Sequence, residues 1–395
     1  MDSNSQQKMH IIQIITELYP AGAERVVANL SVELKKQGHN VAVISLQPLP
    51  ESSVIVDELL ENNISVKTLN LTKFTPWRIF KLRKLLKTGF RQETLDKRLR
   101  TKKRKPENAD NQQQSTNNNQ LIVHSHLIHA NLVCRINNIF GKKYKLINTI
   151  HIAEKRKRKR WHFRLDKLTL KFCNCQTAVS KAAAEHHAKM LKIPTEQIRV
   201  VYNGIESPKH LTFEEIHSLK KQWNVDNCNK IIGSVGRLNW QKGYDIFLRL
   251  VPELAKKIPK NETWGIVIIG EGIERKKLED LVKKIPDNIK VILPGYRSDA
   301  ADCIGAFDLF IMPSRYEGFG LTLVEAIAHG VPCLSSSADS LPGIISHYGN
   351  GKIIDFSHSN CLYKIIQYIN QPCIKAVNKY SINKMINGYL KLYKD

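Results

Sequence analysis

Apolar positions in this 395-residue chain fall into two rhythms, short continuous runs and faces spaced by three and four, and the two alternate along its length. The opening MHIIQIITELYPAGAERVVANLSVELKKQGHNVAVIS shows the unit: an apolar strand, a loop with Gly22, then a helix of about four turns. Val26, Val27, Leu30 and Leu34 share one face of that helix, and Gly38 ends it before a second strand. Residues 121–123 predict a further short strand, and INTIHI another that ends at His151. The second half repeats the pattern with residues 231–235, WGIVIIG, VILPG and AFDLFIMPS, each passing into a glycine-bearing loop. Such runs, separated by helical spacing, predict strands buried on both faces and hence parallel sheets in an α/β fold. Ligands of such sheets sit outside the carboxyl ends of the strands.

The loop after AFDLFIMPS carries the densest chemistry. Residues 313–333, PSRYEGFGLTLVEAIAHGVPC, predict strand end, glycine turn and helix, with Gly330 and Pro332 as the stop. A helix start leaves backbone N–H groups unpaired and partly positive, so Gly318, Phe319, Gly320 and Leu321 are suited to face a phosphate oxygen or a sugar hydroxyl. Glu317 on the turn and Glu325 in the helix add two carboxylate acceptors around one crevice. Each charge-assisted bond from a hydroxyl contributes about 1.5–3 kcal/mol. The plainer alternative is a solvated Glu317 and a Glu325 on a polar helix face.

Upstream, KIIGSVGRLNWQKG at 230–243 brings Arg237 and Lys242 from one strand end. A planar fork and a flexible point charge suit a diphosphate clamped from two directions. Gly270, Glu271 and Gly272 leave the next strand, where close backbone approach suits a ribose or base, and Gly295 and Tyr296 leave the one after.

GRLNWQKG, GEG and PSRYEGFGLTLVEAIAHGVP together resemble the donor-binding half of the retaining glycosyltransferases of family 4 (glycosyl transferases group 1). That family has the GT-B fold, two facing Rossmann-like domains. AGAER resembles its glycine-rich loop, with Ala21 where a second glycine is frequent, and the likeness excludes only about residues 85–120 and the first eight. The resemblance implies a nucleoside diphosphate sugar donor, with Arg237 and Lys242 on the diphosphate, Glu317 on the sugar and Glu325 on the ribose. Phe319, Gly320 and Leu321 present amides, Gly22 adds helix-start amides as two domains close, and Gly270, Glu271, Gly272 and Tyr296 complete the donor side. His151 is implied to face the reacting sugar, while His126, His129 and Asn131 line the acceptor side. Glu317 acts through positioning and electrostatics, and the family's favoured route is a same-face substitution in which departing phosphate helps deprotonate the acceptor hydroxyl. SSSADSLPGII departs from the family: it keeps Gly343 without a clear Gly-Gly-x-x-Glu pattern.

Two residue-level alternatives stay open. His124, His126 and His129 have a spacing that also fits zinc, although carboxylates are lacking nearby and the eight cysteines contain no CxxC pair. His151 also fits a satisfied histidine at a strand end. No two aspartates stand two apart, so the Asp-x-Asp metal site of the other large sugar-transferase architecture is missing from the chain. The expectation is a reaction with no metal and no cofactor, in which Arg237, Lys242 and helix-start amides neutralise the leaving diphosphate.

Charge changes the picture of the partners. The net charge is +25, and it concentrates in Lys81–Lys105, with 12 basic and 2 acidic residues, and Lys155–Lys171, with 9 and 1. The first segment runs into PENADNQQQSTNNNQ, which predicts a mobile insertion over about 89–120. Trp77, Phe80, Leu82, Leu85 and Leu86 predict a short amphipathic helix before it, and Trp161, Leu165, Leu168 and Phe172 an apolar stripe on a basic helix. That stripe suits docking on its own domain or lying on an anionic membrane. RKRKR at 156–160 has no RNA-binding aromatic motif or zinc finger beside it, so no specific nucleic acid is expected.

The length suits an acceptor-binding Rossmann-like domain over 1–205, a nucleotide-sugar donor-binding domain over 206–376, and a helix over 377–395 returning to the first. No apolar run approaches the roughly 18 residues of a membrane span, and MDSNSQQK lacks a signal-peptide core. The expectation is a cytoplasmic enzyme, peripheral at the inner face of the cytoplasmic membrane. It would move a sugar to a lipid-linked or cell-surface glycan of lipopolysaccharide or exopolysaccharide type. A sugar-nucleotide epimerase or hydrolase on the same scaffold is one alternative, and a noncatalytic binder of nucleic acid or anionic polymer another.

Overall fold

The computed structural model describes residues 8–72, 75–88, 121–139, 144–151, 160–372, 374 and 379–395. The insertion expected over 89–120 and residues 152–159 of the second basic segment lie outside the described residues. Strands and helices alternate as the apolar rhythm predicts: β1 (His10–Ile15), α1 (Gly22–Lys36), β2 (Asn40–Ser45), α2 (Val54–Glu61), β3 (Ser65–Thr68), α3 (Leu82–Thr88) and β4 (Leu121–His126). There follow α4 (Ile128–Ile139), β5 (Lys145–Ile150), α5 (Arg160–Leu170), β6 (Cys175–Ala178), α6 (Lys181–Leu191) and β7 (Ile198–Val200). The second half comprises α7 (Phe213–Gln222), β8 (Lys230–Val235), α8 (Tyr244–Ala255), β9 (Trp264–Ile269), α9 (Arg275–Val282), β10 (Ile289–Ile292), α10 (Ala300–Cys303) and β11 (Leu309–Met312). It ends with α11 (Leu321–His329), β12 (Cys333–Ser335), α12 (Leu341–Tyr348), β13 (Lys352–Ile353), α13 (Cys361–Tyr368) and α14 (Ile382–Lys394).

Among the described residues, the strands form two sheets, ordered β3-β2-β1-β4-β5-β6-β7 and β10-β9-β8-β11-β12-β13. β1 pairs in parallel with both β2 and β4, so Ile12 stands opposite Ala42 and Val123. β8 pairs in parallel with β9 and β11. Strand order therefore reverses at β1/β4 and at β8/β11, and a crevice opens at the carboxyl ends at each such point. The chain forms two compact units, one of Met1–Thr149, Asp166–Gln176 and Asp395, the other of Ile150–Leu165 and Thr177–Lys394.

Neighbouring residues of β8 explain its continuous apolar run. Ile231 packs with Val267, Ile269, Phe310 and Met312, beneath Leu323, Val324 and Ile327 of α11. Ile232 packs on the other side with Ile266, Ile268, Leu309 and Ile311, beneath Phe247, Leu248 and Val251 of α8. Each such side chain contributes about 1.5–3 kcal/mol on burial, and charge on either face of β8 would break a core layer. α14 turns Ile382, Met385, Ile386, Tyr389 and Leu390 inward. Its approach is clipped to the segment after β7, where Ile205 N–H donates to Tyr380 O at 2.9 Å and Ile382 N–H to Ile205 O at 3.0 Å.

The apolar stripe expected on α5 does not face inward. Trp161 is 55% and Leu168 68% exposed, while Phe163, Asp166 and Thr169 are buried. A buried cation decides the rotation of the helix. Arg135 of α4 has no exposed surface, and its guanidinium donates to Asp166, to Gln176 and, at 2.5 Å, to Asn148 Oδ1. An unpaired charge there would cost several kcal/mol, so Asp166 is drawn inward and the Trp161–Leu168 face outward. Before the undescribed stretch, Leu82 and Leu86 are buried, whereas Trp77 and Phe80 are 60% and 74% exposed.

Candidate active site

The crevice at the β8/β11 reversal is built from three stitched loops. Gly236 N–H donates to Ile269 O at 2.9 Å, Leu238 N–H to Glu271 O at 2.8 Å, and Gly270 N–H to Gly295 O at 2.9 Å. The glycines make this layer possible. Gly270 has φ +149°, and a Cβ on it would lie 2.1 Å from Gly236 O; a Cβ on Gly272 would lie 2.3 Å from Leu238 O. The close approach that Gly270 and Gly272 allow is thus to a neighbouring loop's backbone. Glu271 pairs with Arg275, whose hydrogen bonds hold the carboxyl below its ordinary range against some desolvation. Tyr296, beyond Gly295, is 46% exposed.

Lys242 and Glu317 meet at the same crevice. Lys242 Nζ lies 2.6 Å from Glu317 Oε1, with side chains only 15% and 8% exposed. Ser314 Oγ donates to the same Glu317 oxygen at 3.0 Å. Arg237, on the loop that carries Lys242, is exposed, and its guanidinium makes no hydrogen bond or ion pair among the described residues.

Side chains from distant loops hold the glycine turn. Glu317 N–H donates to Asp339 Oδ2 at 2.8 Å, Ser180 Oγ donates to Gly318 O at 2.6 Å, and Ser340 Oγ to Phe319 O at 2.7 Å. The Phe319 ring is 3% exposed and meets Tyr380 edge-on at 5.1 Å. Gly320 precedes α11 at φ +94° without a side-chain cap. The carbonyls and the ring are therefore spent on holding the turn. The N–H groups of Phe319, Gly320 and Leu321 make no hydrogen bond among the described residues. Three fixed, unpaired donors at a helix start suit an anion. Glu325, the fifth residue of α11, is half-buried.

The histidine reading needs correction. β4 runs to His126 rather than stopping at Val123, so His124 and His126 lie within it. Both are fully buried; His124 Nε2 pairs with Thr149 Oγ1 at 2.6 Å and His126 Nε2 with Gln13 Oε1 at 2.7 Å. Asn131 is also buried, accepting from Ser125 Oγ at 2.8 Å and donating to Thr149 O at 3.2 Å. Of the three residues expected on the acceptor side, only His129 is exposed. The reason is the length of the strand: three more residues pair with β1 and β5 and take their side chains into the interior. His151 follows β5 directly, and burial pushes its pKa down to about 3, so its imidazole is neutral at ordinary pH. Gly22 opens α1, is exposed, and has open space where a Cβ would stand.

Arg315, Asp339, Ser180 and Ser340 were not singled out in the sequence. Arg315 lies inside the glycine-turn motif and Asp339 in SSSADS, but nothing in their spacing shows what they touch.

Two parallel sheets, each reversing its strand order at a central pair, with the charged loops at carboxyl ends, define the GT-B class. Residues 215–384 match the family described as glycosyl transferases group 1, and residues 111–207 match glycosyltransferase family 4. The chain belongs to this family of glycosyltransferases. An uncharacterized glycosyltransferase of Methanocaldococcus jannaschii, MJ1607, is 34% identical over 184 residues, 45% of this chain and 46% of that protein. An uncharacterized 41.2 kDa protein in the cps region of Klebsiella pneumoniae is 29% identical over 299 residues, 69% of this chain and 78% of its own length. The lipopolysaccharide core biosynthesis mannosyltransferase LpsB of Rhizobium meliloti is 28% identical over 170 residues, 42% of this chain and 47% of that one. The matched region thus spans about half the length of MJ1607 and of LpsB. The crystal structure of Anabaena Alr3699/HepE in complex with UDP and glucose has the same fold, with a TM-score of 0.74 at 17% identity, covering 98% of this chain and 100% of that one.

Proposed function

We propose that the protein is a retaining, metal-independent hexosyltransferase. It moves a sugar from a nucleoside diphosphate to a lipid-linked or cell-surface glycan of lipopolysaccharide or exopolysaccharide type, at the cytoplasmic face of the membrane. The observation that carries this reading is the Lys242–Glu317 pair set two residues before three unpaired amides at the start of α11. In this reading Lys242, Arg237 and the amides of Phe319 to Leu321 neutralise charge growing on the departing diphosphate. Glu317, already aimed by Ser314, accepts from sugar hydroxyls, and Glu325 from the ribose. His151 is a poor proton acceptor with its pKa near 3, so its part is a neutral hydrogen bond, and the departing phosphate is left to take the acceptor's proton.

The relatives support the substrate classes. LpsB is a mannosyltransferase of lipopolysaccharide core biosynthesis, the Klebsiella protein belongs to a cps region, and HepE was solved with UDP and glucose. Metal independence rests on the chain's lack of Asp-x-Asp together with the cations Lys242 and Arg237. Membrane attachment is supported by α5, where exposed Trp161 and Leu168 accompany exposed Arg164, Lys167 and, just beyond, Lys171. No helix among the described residues is long and apolar enough to cross a membrane.

A panel of nucleotide sugars tested by thermal shift identifies the donor, because a ligand of the native state raises the melting temperature. Nucleotide release is then followed with and without glycan acceptor and chelator, and the product anomer assigned. Acceptor-dependent, chelator-resistant transfer with retention is expected. An inverted anomer, or activity lost to chelator and restored by a divalent cation, refutes the reading.

A further inference from the structure

Arg315 stands in the motif PSRYEGFG beside the anion-binding groups, and as a third cation it invites assignment to the diphosphate. Its surroundings argue otherwise. The guanidinium forks onto Asp245, with Nη1 2.7 Å from Oδ1 and Nη2 2.9 Å from Oδ2. Nη1 also donates to Trp240 O at 2.7 Å, and the guanidinium carbon lies 4.6 Å from the centroid of the Trp240 ring. Fork and carbonyl take three of the five N–H donors, and the Trp240 ring covers one side of the plane. The Arg315 side chain is 21% and that of Asp245 11% exposed. Burial opposes ionisation of Asp245, but hydrogen bonds and charge from Arg315, with Lys277, hold its carboxyl below the usual range.

The same residue joins two loops. Arg315 N–H donates to Gln241 O at 2.7 Å, and Gln241 Nε2 returns a bond to Tyr316 O at 3.1 Å. Trp240 and Gln241 immediately precede Lys242, and Arg315 and Tyr316 immediately precede Glu317. Resting on the donor-site reading above, we infer that Arg315 is a positioning residue: with Asp245 it locks the 240–242 turn to the 315–317 turn and so brings Lys242 to Glu317. Lysine cannot reproduce this role, because a point charge has neither the planar fork nor the flat face for Trp240.

Two variants separate positioning from direct phosphate binding by the sign of their effect. Asp245→Asn would liberate a phosphate-binding arginine and leave uridine diphosphate affinity unchanged or tighter; a lock broken at Asp245 weakens it. Both Asp245→Asn and Arg315→Lys are expected to raise the dissociation constant for uridine diphosphate about tenfold, as for a displaced binding group. Unchanged or tighter binding in Asp245→Asn overturns the proposal. A second measurement needs no ligand: the coupling between Lys242→Met and Glu317→Gln, taken from urea unfolding, is expected to vanish in an Arg315→Lys background. Coupling that persists there also overturns it. Folded wild-type protein that ignores every nucleoside diphosphate instead refutes the donor-site reading, while the unfolding cycle still decides the role of Arg315.

Discussion

Lys242 and Glu317, 75 residues apart in the chain, meet at 2.6 Å where the strand order of the second sheet reverses. The contact joins a group suited to diphosphate with one suited to sugar hydroxyls. Lys242→Met and Glu317→Gln are each expected to lower kcat/KM by about 100-fold or more, as for removal of a preorganised charge-stabilising donor. Each also leaves a mostly buried partner, so each destabilises the fold by about 1–3 kcal/mol. Steady-state kinetics with the identified donor and urea unfolding measure both effects; full activity in either variant removes the pair from the site.

Glycines at the helix starts divide into two classes. Gly243 has φ +68°, and a Cβ on it would lie 2.0 Å from Pro313 O, whereas Gly22 has open space around it. Gly243→Ala is expected to cost about 2 kcal/mol or more, and Gly22→Ala to stay within about 0.5 kcal/mol. Thermal melts of the two proteins check this, and equal melting temperatures would contradict the packing.

His151 gives a pH dependence of defined sign. Its pKa falls from 6.5 to about 3 on folding because burial disfavours the imidazolium. Below pH 6.5 the unfolded chain therefore takes up a proton that the folded chain refuses. The stabilisation is fully present above that value and is lost by about 1.4 kcal/mol per pH unit as pH falls towards the folded pKa. Urea unfolding of wild type and His151→Asn at about pH 7.5 and about pH 5 is expected to show the steeper loss in wild type. Parallel profiles would place His151 in a wetter setting.

α5 presents Trp161 and Leu168 beside exposed basic residues, a combination suited to an anionic lipid surface. Lys167→Glu with Lys171→Glu is expected to reduce binding to phosphatidylglycerol vesicles by about tenfold or more, given about 1 kcal/mol per basic residue at such a surface. Trp161→Ala with Leu168→Ala should weaken binding even at high salt, where charge is screened. Vesicle flotation reads both, and indifference to anionic lipid sinks the membrane part of the proposal.

The strands around the site were legible because residues buried on both faces leave continuous apolar runs, as at Ile231 and Ile232. The glycine turn before α11 was legible because its backbone angles demand glycine, as Gly320 shows. The strand expected to stop at Val123 runs on through His126, and so takes one of the two histidines expected on the acceptor side into the interior, because polar residues need not end a strand. His124 and His126 continue β4 once Thr149 and Gln13 satisfy their nitrogens, and those partners lie far away in the chain. Spacing alone left the α5 stripe open between docking on its own domain and facing outward; the buried Arg135 claims Asp166 and turns the Phe163–Asp166–Thr169 face to the core.

Amino-acid order by itself determined the α/β alternation and the family, and it marked Arg237, Lys242, Glu317 and the turn before α11 as candidates for the site, since each depends on residues close together in the chain. Tertiary structure alone decided which of these groups meet, which histidines are core, and how Arg315 and Asp339 hold the loops. Those outcomes depend on partners supplied by remote segments: a buried charge or amide takes whichever acceptor the fold brings to it, and local spacing does not record that choice.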